Sequence, residues 1–68
     1  MITVFEKVGN NIRDFRKKLG LSQEQLAFKA KIDMTSVSEI ESGLRNPSLK
    51  TLAKLAKALE VELHQLLK

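Results

Sequence analysis

Apolar residues in this chain return at steps of three and four almost without interruption. Phe5, Val8, Ile12, Phe15 and Leu19 form the first stripe, and Leu49, Leu52, Leu55, Ala56 and Leu59 form a later one. That spacing matches the α-helical turn, and no segment alternates with the period of two that a half-buried strand needs. The fold class expected is therefore all-α. Gly20 and Gly43 are stop signals, and Leu44-Arg45-Asn46-Pro47 reads as a loop. Ser22, Asp33 and Ser48 stand as N-caps, and Gln25 completes a capping box with Ser22. These signals predict helices over about 6–19, 23–30, 34–42, 49–59 and 62–67. Gly9, Asn10 and Asn11 weaken the first turns of the first helix. Glu60 and Glu62 stand where a Gly stop and a Ser cap are expected, which predicts fraying or a 3₁₀ turn before the last helix.

At 68 residues the chain is expected to be one small domain, spanning 1–68, whose own core yields modest stability. It has no cysteine and one histidine, so disulfides and thiolate metal sites are excluded and no metal is expected. No apolar run approaches the ~18 residues of a membrane span. The start, Met1-Ile2-Thr3-Val4-Phe5, lacks the basic flank and long apolar stretch of a signal peptide, so the cytoplasm is the expected location. No nucleophile–histidine–acid set stands out, and no enzymatic activity is expected.

The net charge of +4 favours an acidic partner, and its placement is uneven. Residues 1–20 sum to +3, residues 21–43 to −2 and residues 44–68 to +3. Two short capped helices joined by about three residues form the sequence pattern of a helix-turn-helix. In that motif the first helix braces against the DNA backbone and the second projects side chains into the major groove. Ala27 and Ala30 are small enough for the crossing, and Val37 and Ile40 fill the remainder.

The residues themselves carry a more specific signal. Ile12-Arg13-Asp14-Phe15-Arg16-Lys17-Lys18-Leu19-Gly20 is followed by Leu21-Ser22-Gln23-Glu24-Gln25-Leu26-Ala27. Val37-Ser38-Glu39-Ile40-Glu41-Ser42-Gly43, Arg45-Asn46-Pro47-Ser48-Leu49 and Leu52-Ala53-Lys54-Leu55-Ala56-Lys57-Ala58-Leu59 complete the pattern. Over about residues 8–67 this resembles the Cro/repressor (Xre-like) helix-turn-helix family. The resemblance implies a compact five-helix, lambda-repressor-like bundle that binds a double-stranded DNA operator as a dimer. It implies a transcriptional regulator, with repression or autoregulation the expected mode, and no cofactor or small-molecule ligand.

Site residues carry over by position. The resemblance places base reading on Met34, Thr35, Ser36, Ser38 and Glu39. Thr35 and Ser36 can bond bases or phosphates, and Glu39 can accept from a cytosine amino group. Met34 either meets a thymine methyl or packs at the helix start. Phosphate contacts map to Gln23, Arg45 and Asn46, with Lys17 and Lys50 attracting the backbone from the flanks. Gln23 is also expected to support the reading helix. Arg16 and Glu41 map to a bonded pair linking the first helix to the end of the third.

Some positions depart from the family pattern. Lys31 stands where glycine is frequent, so the turn must adopt a positive φ at some cost or take another shape. The reading helix carries Glu39 and Glu41 but no Arg or Lys, an awkward surface for an anion. Phe28 replaces a usual polar residue and either packs on a helix edge or is exposed for a partner. The last helix holds more apolar surface than one side can bury. Val61 and Leu66 are expected in the core, and Leu63 and Leu67, with His64 at the edge, at a homodimer interface. Phe5 and the Met1–Val4 arm either cover the same region or cap the core. Two other readings stay open: a protein-interaction module of the same fold, antitoxin-like, and a DNA-binding part of a longer repressor.

Overall fold

In the computed structural model, which describes residues 2–68, the chain forms five helices. These are α1 (Val4–Lys18), α2 (Gln23–Ala30), α3 (Met34–Glu41), α4 (Leu49–Leu59) and α5 (Leu63–Leu66). No strand occurs among the described residues.

Helix α1 begins two residues earlier than the sequence pattern predicts. Thr3 Oγ1 accepts from the Glu6 N–H at 3.1 Å, and Glu6 Oε1 accepts from the Thr3 N–H at 3.0 Å. This reciprocal box satisfies two otherwise orphaned donors and fixes the first turn. The expected N-terminal arm is therefore largely cap and helix, with Val4 already helical; Met1 lies outside the described residues. Gly9 does not end or fray the helix, because its buried backbone packs against α3.

Helices α2 and α4 coincide with their expected ranges. Ser22 Oγ accepts from the Gln25 N–H at 3.0 Å, and Ser48 Oγ accepts from the Thr51 N–H at 3.1 Å. Lys31 and Glu60 end these helices in the left-handed region, at φ 60° and 62°. The chain thus accepts the backbone cost at both non-glycine stops. Both adopt the same reversal, with the Ile32 N–H bonded to Ala27 O and the Val61 N–H to Ala56 O, each at 3.0 Å. Ile32 and Val61, the residues after the stops, then fold back against the core. Helix α5 is a single turn, shorter than expected, opened by Gln65 Oε1 accepting from the Glu62 N–H at 2.8 Å.

Ile12, Leu26, Val37, Ile40, Leu55, Leu59 and Leu66 are the large side chains at the centre, all under 2% exposed apart from Leu59 at 2%. Helix α2 lies between α3 and α4 and packs on both. Ala27 and Ala30, each 4% exposed, let those neighbours approach. Helix α1 crosses α3 and also touches α4 and α5. Asn11 Nδ2 donates to Leu66 O at 3.0 Å and ties the end of α5 to α1. The core therefore grips α3 by one face and leaves the other free.

Candidate nucleic-acid interface

Helix α3 is pinned at both ends. At its start, Asp33 Oδ2 accepts from the Ser36 N–H at 3.0 Å, and Asp33 Oδ1 accepts from the Ser36 hydroxyl at 2.7 Å. The two Ser36 bonds hold the Asp33 carboxyl below the usual carboxylate range. The turn before it is closed by the left-handed Lys31.

At its far end the anchor is Glu41, 2% exposed. Arg16 Nε donates to Glu41 Oε2 at 2.6 Å and Arg16 Nη2 to Oε1 at 3.0 Å, a two-pronged charge-assisted pair. Gln23 Nε2 donates to Oε1 at 3.0 Å. Arg13 Nη2 donates to the Glu41 main-chain oxygen at 3.0 Å, and its Nε lies 3.8 Å from Oε1. A cation on a carbonyl at the C-terminal end also suits the helix dipole. Arg16 Nη1 reaches Leu21 O at 2.8 Å, so the same guanidinium holds the loop before α2. One buried acid thus joins α1, α2 and α3.

Gly9 lets this happen. A Cβ there would stand 2.3 Å from Ile40 O and 2.7 Å from Glu41 O, so only glycine allows α1 to cross so close to the end of α3.

Between these anchors α3 buries Ser36, Val37, Ile40 and Glu41, and presents Met34, Thr35 and Ser38 exposed with Glu39 beside them. Met34, at 50% exposed, stands on the surface rather than packed at the helix start. Ser36 departs from its expected place among the reading side chains. It is 8% exposed, and its hydroxyl is taken up by Asp33 and by Arg45 Nη1.

Arg45 comes from the α3–α4 loop, and its Nε lies 3.7 Å from Glu39 Oε1. The expected mismatch between an acidic reading helix and an anionic partner is thereby reduced, since Arg16 and Arg45 each stand beside one of its two carboxylates. An open cleft of about 380 Å³ lies here, lined by Asp33, Ser36, Arg45, Asn46, Ser48 and Thr51 among others.

The other expected phosphate ligands are Gln23, Lys17, Asn46 and Lys50. Lys17, Asn46 and Lys50 are exposed, and Gln23 is half-buried. Lys18 stacks over the Phe15 ring, 5.3 Å from its centre. At the opposite end of the chain Leu63 is partly buried against the core, while His64 and Leu67 are exposed. Phe28 packs on no helix edge and is 87% exposed. Arg13 was not expected from sequence; Gln23 was expected to support the reading helix, and Glu41 is the partner through which it does so. A signal existed: Gly9, Arg13 and Arg16 are spaced four and three apart, so they share one face of α1.

A capped helix pair with the second helix clamped at both ends and bare along one face is the geometry of a helix-turn-helix protein. The chain belongs to the Helix-turn-helix family, whose model matches residues 12–66. Control protein C.BamHI of Bacillus amyloliquefaciens is 43% identical over 60 residues, covering 87% of this chain and 74% of that one. The HTH-type transcriptional regulator SinR of Bacillus subtilis is 39% identical over 61 residues, covering 88% of this chain and 55% of that protein. Among solved structures, the restriction-modification controller protein C.AhdI of Aeromonas hydrophila superposes with a TM-score of 0.89 at 44% identity, over 91% of this chain and 94% of that one. A crystal structure of SinR in complex with DNA superposes with a TM-score of 0.86 at 39% identity, over 90% and 98%.

Proposed function

We propose that this chain is a sequence-specific double-stranded DNA-binding transcriptional regulator that binds an inverted-repeat operator as a homodimer, with repression or autoregulation as its mode. The observation that carries the reading is the likeness to SinR, a protein solved on DNA, over nine-tenths of this chain. The bare face of α3 supplies the chemistry. Thr35 and Ser38 donate and accept, Glu39 accepts from a cytosine amino group, and Met34 meets a thymine methyl. Gln23, Arg45, Asn46, Lys17 and Lys50 grip phosphates and set the register of the protein on the duplex. Leu67, with Leu63 and His64, supplies the contact between copies.

Selection from randomised duplexes, followed by titration of the enriched duplex over a salt series, tests this. A single inverted repeat should emerge, with a specific affinity at least about a thousandfold above random sequence. The slope of log affinity against log salt should correspond to several released counterions. Failure to enrich any sequence would leave the protein-interaction reading of the fold in its place.

A further inference from the structure

Four exposed lysines line an open hollow of about 350 Å³ between the end of α2 and the outer side of α4. They are Lys29, Lys31, Lys54 and Lys57, and Ala30 and Ala58 lie beneath them. Lys50 stands four residues before Lys54, so Lys50, Lys54 and Lys57 share one face of α4. Glu60 is the one carboxylate on this strip, 3.1 Å from Lys29 Nζ, and both side chains of that pair are well exposed. Among the described residues Lys31, Lys50, Lys54 and Lys57 form no ion pair. The other seven basic and seven acidic side chains of the sequence cancel, so the whole net charge of +4 sits on this strip. Like charges three and four residues apart repel along a helix, so the strip does nothing for the fold that would explain it.

We propose that this hollow is the docking site for an acidic segment of a partner protein, with carboxylates on Lys29, Lys31, Lys54 and Lys57 and one apolar side chain on Phe28. Charge complementarity sets the sign, because an uncompensated cationic patch attracts and orients an anionic partner. Lysine stems lie along a surface while their amines stay in water, so the hollow offers methylene walls as well as charge. Phe28 decides between classes of polyanion. It is 87% exposed and stands three residues before Lys31 on α2. An exposed aromatic of this kind is what a peptide side chain covers at the core of an interface. A duplex presents phosphates and leaves Phe28 uncovered. A single strand needs successive aromatics on which to stack its bases, and the strip has one. Met34, Thr35, Ser38 and Glu39 contribute nothing to the hollow, and Lys57 lies about 10 Å along α4 from Lys50. A partner seated here leaves the outer face of α3 free, so docking does not depend on what α3 reads.

The test selects short peptides from a random display library on the full chain and titrates the enriched peptides, fluorescently labelled, by anisotropy. They should carry several Asp or Glu and at least one large apolar residue. Lys54→Gln with Lys57→Gln should weaken their binding about tenfold, the upper end for two exposed ion pairs. Phe28→Ala should weaken it at least about fivefold, as a covered aromatic does on truncation. Lys7→Gln with Lys68→Gln makes the same change in net charge outside the strip and should leave the affinity unchanged. All these positions are exposed, so each variant should melt like the wild type. Amide shifts on adding peptide should centre on residues 28–31 and 54–58. No enrichment, enrichment without acidic residues, equal losses in the two lysine pairs, or shifts centred on α3 would each overturn the proposal. So would an oligothymidylate of matched length that binds the strip more tightly than the enriched peptides, which would make it a nucleic-acid surface.

Discussion

Glu41 is a charge in the core, and its worth lies in geometry more than in net stability. Burying an ion pair costs desolvation that its attraction only partly returns, whereas stranding one partner costs about 3–5 kcal/mol when it is fully buried. Arg16→Ala and Glu41→Ala should each lower the denaturant midpoint sharply, with Glu41→Ala the milder because it strands an arginine that is 12% exposed. The double variant should lose less than the sum of the two, and additive small losses in denaturation would show that the pair contributes nothing. The capping carboxylates give a second outcome at this scale. Bonds from Thr3 hold Glu6, and bonds from Ser36 hold Asp33, below their ordinary ranges. A lowered folded-state value means that the stability is present above the unfolded value and is lost as pH falls through the folded one. Stability should therefore decline below about pH 4, and Asp33→Asn should flatten that acid limb in urea titrations at successive pH values.

At the scale of elements, the two left-handed stops are the cheapest places to improve the fold. Lys31→Gly and Glu60→Gly should each stabilise by about 1 kcal/mol, the low end of the cost of an L-residue in that region. Glu60→Gly also removes the pair with Lys29 at 3.1 Å, but both side chains are well exposed and such pairs are worth little. Gly9→Ala should do the reverse, destabilising by about 1–3 kcal/mol through overpacking and weakening DNA binding as the end of α3 is pushed aside. Thermal melts of the three variants decide both signs. These elements also mark where sequence reading succeeds. Helices α2 and α4 were legible to the residue because Ser22, Gln25 and Ser48 act on their own first turns. The start of α1 was equally local, in Thr3 and Glu6, but the weak formers Gly9, Asn10 and Asn11 drew the expected boundary inward. The burial of Ser36 was not legible, because it depends on Arg45 returning from a loop nine residues later. The role of Gly9 needed the crossing of α1 over α3, a contact that no local pattern encodes.

For the whole molecule, one reading helix spans about one half-site, which is too little to single out an operator in a genome. The proposed homodimer needs a surface outside the core to place its second copy. Leu67 is 50% exposed while Leu66, its neighbour, is fully buried and tied to α1, so α5 offers an apolar edge on a fixed base. Leu67→Glu is a cleaner probe than a change at Leu63, which packs partly on the core. It should yield a folded monomer by sedimentation, with operator affinity reduced far more than affinity for random DNA. The central claim, that α3 reads DNA from a symmetric pair, meets its most direct test in hydroxyl-radical footprinting of the selected operator. The account predicts two protected patches on one face of the duplex, related by symmetry and centred about 34–36 Å apart, one helical turn. A single patch, or protection spread evenly along the duplex, would contradict it.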